Sequence, residues 1–238
     1  MLTLFACIIA FIQPAKPMTE LLPGVLVGEG IVEFEGTVAI DVHHPDTPIV
    51  YLEMFVTSPD SREHESLIVA SIKPSILHAA LLAAGVTPGQ PRHKDNSGAW
   101  VDAIGQELLI TVSTKELADW SDFERIENWV INQQNQTLLS ESESWTGSVF
   151  AGSKINNSGP NAGYLADRSG TLISLTTFGD EVISPRWAIS HEAEIDEPVW
   201  IASIDHLPTK GTNVKVRIQT VPDDESHEPD RIDIDRDG

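Results

Sequence analysis

The apolar residues of this chain fall into short runs of strand length set between turn residues, and only once do they spread into a helical pattern. Ile31 to Ile40 reads IVEFEGTVAI. Val32, Phe34 and Val38 share one face and Ile31, Glu33, Glu35 and Thr37 the other, the alternation of a half-buried strand. After the His43-His44-Pro45-Asp46 turn, Ile49 to Thr57 (IVYLEMFVT) forms a second strand, closed by Ser58-Pro59-Asp60-Ser61. Glu63 to Ile72 opens polar and is apolar on both faces from Leu67 to Ala70, so it reads as a strand running from a rim into the core. Further strands are expected over 107–113, 126–132, 144–151, 171–178 and 199–204. The clearest late strand is Val214 to Thr220, where Val214, Val216 and Ile218 alternate with Lys215, Arg217 and Gln219, one face inward and one to water.

The helical stretch is Pro74 to Ala84, with Pro74 near N1, Ser71 or Ser75 near its start and Gly85 placed as a C-cap. Ile76, Leu77, Ala80, Leu81 and Ala84 make its broad apolar face. Many strands and one firm helix predict an α+β fold: mostly antiparallel strands with one principal helix (about 74–84) packed on the sheet. With 238 residues, 41% of them hydrophobic, the chain buries one substantial core. The main body is expected as a single domain over 29–221.

The two ends read differently. Leu2 to Ile12 is apolar apart from Thr3, too short to span a bilayer and about the length of a signal-peptide core, so 1–15 reads as a signal-like segment. Export to the periplasm or the extracellular space follows from that reading; the alternatives are a buried N-terminal strand or helix and, from Leu4-Phe5-Ala6-Cys7, a lipidation box. No stable membrane span is expected in the mature chain. From Pro222 the text is PDDESHEPDRIDIDRDG, too polar to offset its ordering entropy, so 222–238 reads as a disordered acidic tail.

A net charge of −21 repels phosphate backbones, which excludes nucleic acid as a partner and leaves metal cations, cationic ligands or plain solubility. Cys7 is the chain's one cysteine, so neither an intrachain disulfide nor an iron–sulfur cluster can be built from it.

Glu63-His64-Glu65-Ser66 is the main candidate for chemistry. On a strand, His64 and Ser66 share one face and Glu63 and Glu65 the other, and the following helix supplies His78. If strand and helix pack as neighbours, His64 and His78 approach closely enough to bind a divalent metal with a carboxylate; the bland alternative is a structural polar cluster. A serine-hydrolase reading takes Ser66 or Ser153 as nucleophile, His64 or His78 as base and Asp167 as orienter, but no G-x-S-x-G elbow exists. Asp233, Asp235 and Asp237, in Asp233-Ile234-Asp235-Arg236-Asp237-Gly238, match the opening half of a calcium loop that lacks its later ligands. His43-His44 reads as a solvated turn.

Glu63-His64-Glu65-Ser66-Leu67, then Lys73-Pro74-Ser75 with His78-Ala79-Ala80-Leu81-Leu82-Ala83-Ala84-Gly85, then Pro88-Gly89-Gln90-Pro91, resembles the YdjY-type domain of exported bacterial proteins, common in planctomycetes. Phe150-Ala151-Gly152-Ser153, Tyr164-Leu165-Ala166-Asp167 and Gly170-Thr171-Leu172-Ile173-Ser174-Leu175 look like that family's second half, and the likeness runs from about Glu29 to Val221. The resemblance implies motif positions at Glu63, His64, Glu65, Ser66 and His78 and no particular activity. The sequence therefore points to an extracytoplasmic binding or structural module for an unidentified small molecule or protein. The rival is a metal-dependent or hydrolytic enzyme centred on Glu63–Ser66 and His78.

Overall fold

The computed structural model of the protein describes residues 17–159 and 162–221. The signal-like segment, the acidic tail and the three aspartates Asp233, Asp235 and Asp237 lie outside the described residues. Ten strands carry the architecture: β1 (Thr19–Leu22), β2 (Val25–Gly28), β3 (Ile31–Val38), β4 (Met54–Thr57), β5 (Ser66–Val69), β6 (Glu107–Ser113), β7 (Ser148–Phe150), β8 (Thr171–Ser174), β9 (Ile183–Pro185) and β10 (Asn213–Thr220). The helices are α1 (Pro74–Ala83) and the short α2 (Leu165–Ser169).

Alternating valines and isoleucines set the register of the longest strands. Val216 of β10 stands opposite Phe34 of β3 on one side and Val112 of β6 on the other, and Ile218 likewise faces Val32 and Ile110. All six are buried, because matched alternation on three strands turns one continuous apolar surface inward. From there the order runs β6-β7-β9-β8-β4-β5. β5 then returns to β3, where Val38 meets Ile68 and Thr37 meets Val69, and the strands close into a barrel of eight.

This corrects the predicted α+β arrangement of a helix packed on a sheet: the molecule is mostly β, and its main sheet has joined its own ends. β3 makes the closure because it is long enough to hold β2 beside its first half and β5 beside its second. Two of the contacts are also parallel, β4 with β5 and β8 with β9, each strand returning through a short connection, 58–65 and 175–182. At the seam Gly36 is required by space: a Cβ there would lie 2.5 Å from Ile68 Cγ2 and 3.0 Å from the Val69 carbonyl oxygen.

The helix is a stopper for the barrel, not a layer. It begins just after Ile72, whose carbonyl accepts from Ser58 Oγ beyond the end of β4 (3.1 Å), and it finishes where Gly30 N, leading into β3, donates to Ala84 O (2.8 Å). It thus crosses one end of the ring and buries Leu77, Ala80 and Leu81 there. Its first turn is capped from elsewhere in the chain, since Ser75 N donates to Asp167 Oδ1 of α2 (2.7 Å) and no side chain of its own does so. Its last turn ends as predicted, with Gly85 at φ +83° and paired bonds from Gly85 N to Leu82 O and from Val86 N to Leu81 O.

A second apolar layer lies beside the barrel on 126–146 and 186–202, where Phe55, Trp145, Trp187 and Trp200 follow one another with ring centroids 5.8, 4.8 and 5.6 Å apart. The outer faces of β3 and β10 also depart from expectation. Glu33 and Arg217 sit opposite each other and are buried as an ion pair at 2.5 Å, with the guanidinium 4.0 Å from the Trp120 ring and 3.7 Å from the Phe123 ring. A paired charge under an aromatic roof can leave water, whereas an isolated one cannot.

Candidate functional site

The barrel's two ends are chemically distinct. At the stoppered end stands His78, half-buried on α1, its ring against Phe150 (4.9 Å) and Tyr164 (5.5 Å). Tyr164 Oη donates to Gly152 O (3.0 Å), so the phenol oxygen is left to accept from His78 Nδ1 at 2.8 Å. Burial holds the imidazole below its usual range, against the pull of the Gly152 carbonyl, and burial also pushes the Tyr164 phenol upward. Ser153 Oγ is engaged as well, donating to Asp180 O and accepting from Ala166 N. With Asp167 serving as the cap of α1, Ser153, Asp167 and His78 each hold a structural partner at this end.

His64 is elsewhere. Glu63–Glu65 is a turn of 3-10 helix, not the start of a strand, and β5 begins only at Ser66. The reason is local: Ser66 Oγ donates to Arg62 O (2.6 Å) and Glu63 Oε1 accepts from Asp60 N (2.8 Å), so side chains fold the connection back on itself. His64 is left with 76% of its side chain exposed, 3.6 Å from Glu65 Oε1 at the opposite end of β5 from the helix. Its ring and that of His78 therefore occupy different ends of the barrel. Among the described residues no group of three His, Cys, Asp or Glu side chains is placed to hold a metal ion.

The open end brings together a different set. Glu53, the residue before β4, donates its backbone N–H to Glu65 O (3.0 Å) and receives Leu175 N (2.9 Å) and Thr176 N (3.1 Å) on its carbonyl, so its backbone is fixed by both parallel returns. Its carboxylate accepts from Arg62 Nη1 at 2.7 Å. Burial first, and then the neighbouring Glu65 carboxyl, pushes Glu53 from the usual 4.5 up to about 7, although Arg62 pulls the other way. Glu53 thus takes up a proton near neutral pH, beside the Glu65 carboxyl.

They line a cavity of about 320 Å³ whose walls include Tyr51, Thr176, Ile189, His191, Asp196, Glu197 and Trp200. The volume suits a small organic ligand. Arg62 lies over the Phe178 ring at 4.3 Å, and Phe178 stacks on His191 at 4.6 Å, so the His191 on the wall is backed by a layered stack. His191 Nδ1 donates to Thr177 O (3.1 Å), which leaves Nε2 as the acceptor of the neutral ring.

At the stoppered end, where Ser153 N donates to its carbonyl (3.0 Å), Glu181 is fully buried and closes the 175–182 return. One of its oxygens accepts from Phe178 N, Gly179 N and Asp180 N, and the other from Ser184 Oγ. Burial raises its pKa, and the Ser184 hydroxyl and the backbone N–H groups of Glu181 and Asp180 oppose that rise.

Of the residues singled out in the sequence, Glu65 lines the cavity, with His64 and Glu63 on the same turn outside it. Glu53, Arg62 and His191 were missed. Glu53 had a readable signal, being the one charge inside IVYLEMFVT, whereas Arg62 and His191 join only through the fold.

Fold and site together define a class: a closed barrel of mixed strands, stoppered by a helix at one end and carrying an acidic, aromatic-walled cavity at the other. The particular family is the YdjY domain family, to which the chain belongs, its profile matching residues 27–219. No curated protein and no solved structure matches the chain. No helix among the described residues is long and apolar enough to cross a membrane.

Proposed function

We propose that the protein is an extracytoplasmic binding module whose ligand is a small organic cation held in the cavity beside Glu53 and Glu65. The observation that carries this reading is the opposed pair of carboxyls on the wall of a ligand-sized cavity, with the aromatic rings of Tyr51 and Trp200 alongside. Two neighbouring carboxyls, one of them held protonated by burial and by the other's charge, gain by accepting an ammonium group, and aromatic faces add cation–π attraction. The extracytoplasmic setting is supported by the apolar Leu2 to Ile12 run; fractionation with N-terminal sequencing of the mature chain tests it separately.

Calorimetric titration with short alkylammonium probes at pH 8 tests the binding. Saturable heat is expected, weakened about tenfold in Glu65→Gln, the size of one lost charge-assisted contact. Affinity should also fall on acidification through about pH 7, as Glu53 takes up its proton. An absence of heat with every organic cation, in protein shown to be folded, refutes the reading.

A further inference from the structure

A second cavity, of about 360 Å³, adjoins the first and shares Ser190, His191 and Asp196 with it. Its lining carries both signs of charge, Arg92 together with Glu192 and Asp196. Arg92 lies on its wall with 18% of its side chain exposed, its guanidinium 4.6 Å above the Trp100 ring. The Arg92 Nε is buried and has no hydrogen-bond partner, because the nearest carboxylate, Asp102, stands 3.6 Å away, beyond hydrogen-bond range. Lys94 Nζ also lies over Trp100, at 5.0 Å. Lys154 Nζ comes within 3.8 Å of the position a side chain on Gly179 would take. Among the described residues Arg92 is thus the one cation on this cavity's lining, with Lys94 and Lys154 next to lining residues, in a chain with 15 Lys and Arg against 36 Asp and Glu. Trp100 is 58% exposed, which leaves an indole open at the mouth.

We propose that the ligand is a small zwitterion, its ammonium group resting against Glu53 and Glu65 and its carboxylate reaching the Arg92 guanidinium in the adjoining cavity. The inference rests on the binding role assigned above and adds the second charge. The buried Nε is turned to Asp102, its ion-pair partner at 3.6 Å, so the donors left for a ligand carboxylate are the two terminal nitrogens of the guanidinium, which offer a planar geometry that a lysine lacks. Trp100 holds the guanidinium plane in place by stacking, so little ordering is left for the ligand to bring about. An anion alone gains less, since Glu192 and Asp196 line this same cavity and Glu197 the neighbouring one.

The test is a calorimetric comparison of ω-amino acids of increasing chain length with alkylamines of matching length, on the whole protein at pH 8. One length of amino acid is expected to bind about tenfold more tightly than its amine. Arg92→Gln should remove that advantage and leave amine binding unchanged, and Lys94→Gln, at an exposed position, should reduce it in part. Equal affinity of acid and amine at every length overturns the zwitterion, as does an advantage that survives Arg92→Gln. If neither series binds, the cation reading fails as well, so the two failures are told apart. The melting temperature of each variant confirms that folded protein is being compared.

Discussion

Replacing Glu53 by Gln should make the stability of this protein less dependent on pH, and the sign follows from the site. The folded chain raises this carboxyl from 4.5 to about 7, so between those values it keeps a proton that the unfolded chain has lost. The contribution of Glu53 to stability is therefore complete below pH 4.5 and is lost as pH climbs to about 7. For a single isolated carboxyl the span corresponds to about 3 kcal/mol. Arg62 stands beside the carboxyl and the cavity admits solvent, which reduces the expected effect to about 1–2 kcal/mol. Glutamine keeps the shape and an oxygen for Arg62 but cannot ionise. Urea unfolding of both proteins from pH 4.5 to 7.5 measures the difference. The variant should gain about 1–2 kcal/mol relative to the parent across that window. A difference that stays flat with pH would show that Glu53 ionises normally and that the paired-carboxyl account of the cavity is mistaken.

Gly36→Ala puts a methyl against Ile68 and the Val69 carbonyl at the barrel seam, and should cost about 1–3 kcal/mol in chemical denaturation; an unchanged midpoint would argue against closure between β3 and β5. Asp167→Ala removes the acceptor for Ser75 N and should cost about 1 kcal/mol, with Asp167→Asn recovering most of it. Leu77→Ala opens space beneath the stopper and should cost about 2–5 kcal/mol by the same assay. Removing the Glu181 carboxylate by Glu181→Ala leaves the amides of 178–180 without their acceptor; faster hydrogen exchange at those three positions is expected, and unchanged exchange would count against the role given to it.

Much of the barrel was legible residue by residue. The expected strand over 107–113 coincides with β6, and Val214, Val216 and Ile218 turn inward as their alternation requires. Closure was not legible, because alternation says which face of a strand is buried and nothing about which strand lies beside it. β4, β5 and β8 are also short, with almost every residue buried, so they carry no alternation to read. β9 was missed outright: Ile183-Ser184-Pro185 is too brief and contains a proline. At the site, Glu65 could be picked out because a dense polar run marks its position. Its partner Glu53 lies twelve residues earlier in an apolar stretch, and only the parallel return of β5 alongside β4 brings the two together.

The ring has a consequence for how the protein behaves in a crowded solution. A strand paired on both sides cannot recruit a neighbour's backbone, so the barrel protects itself against strand addition. The hairpin of β1 and β2 gives part of that protection back, since β1 is exposed along its length and shows Leu21 and Leu22 to solvent, with Glu20 the one charge beside them. Fibril growth or exchange of strands between copies would have its most accessible starting point at that hairpin, and a lysine substituted for Leu21 is the simplest way to close it.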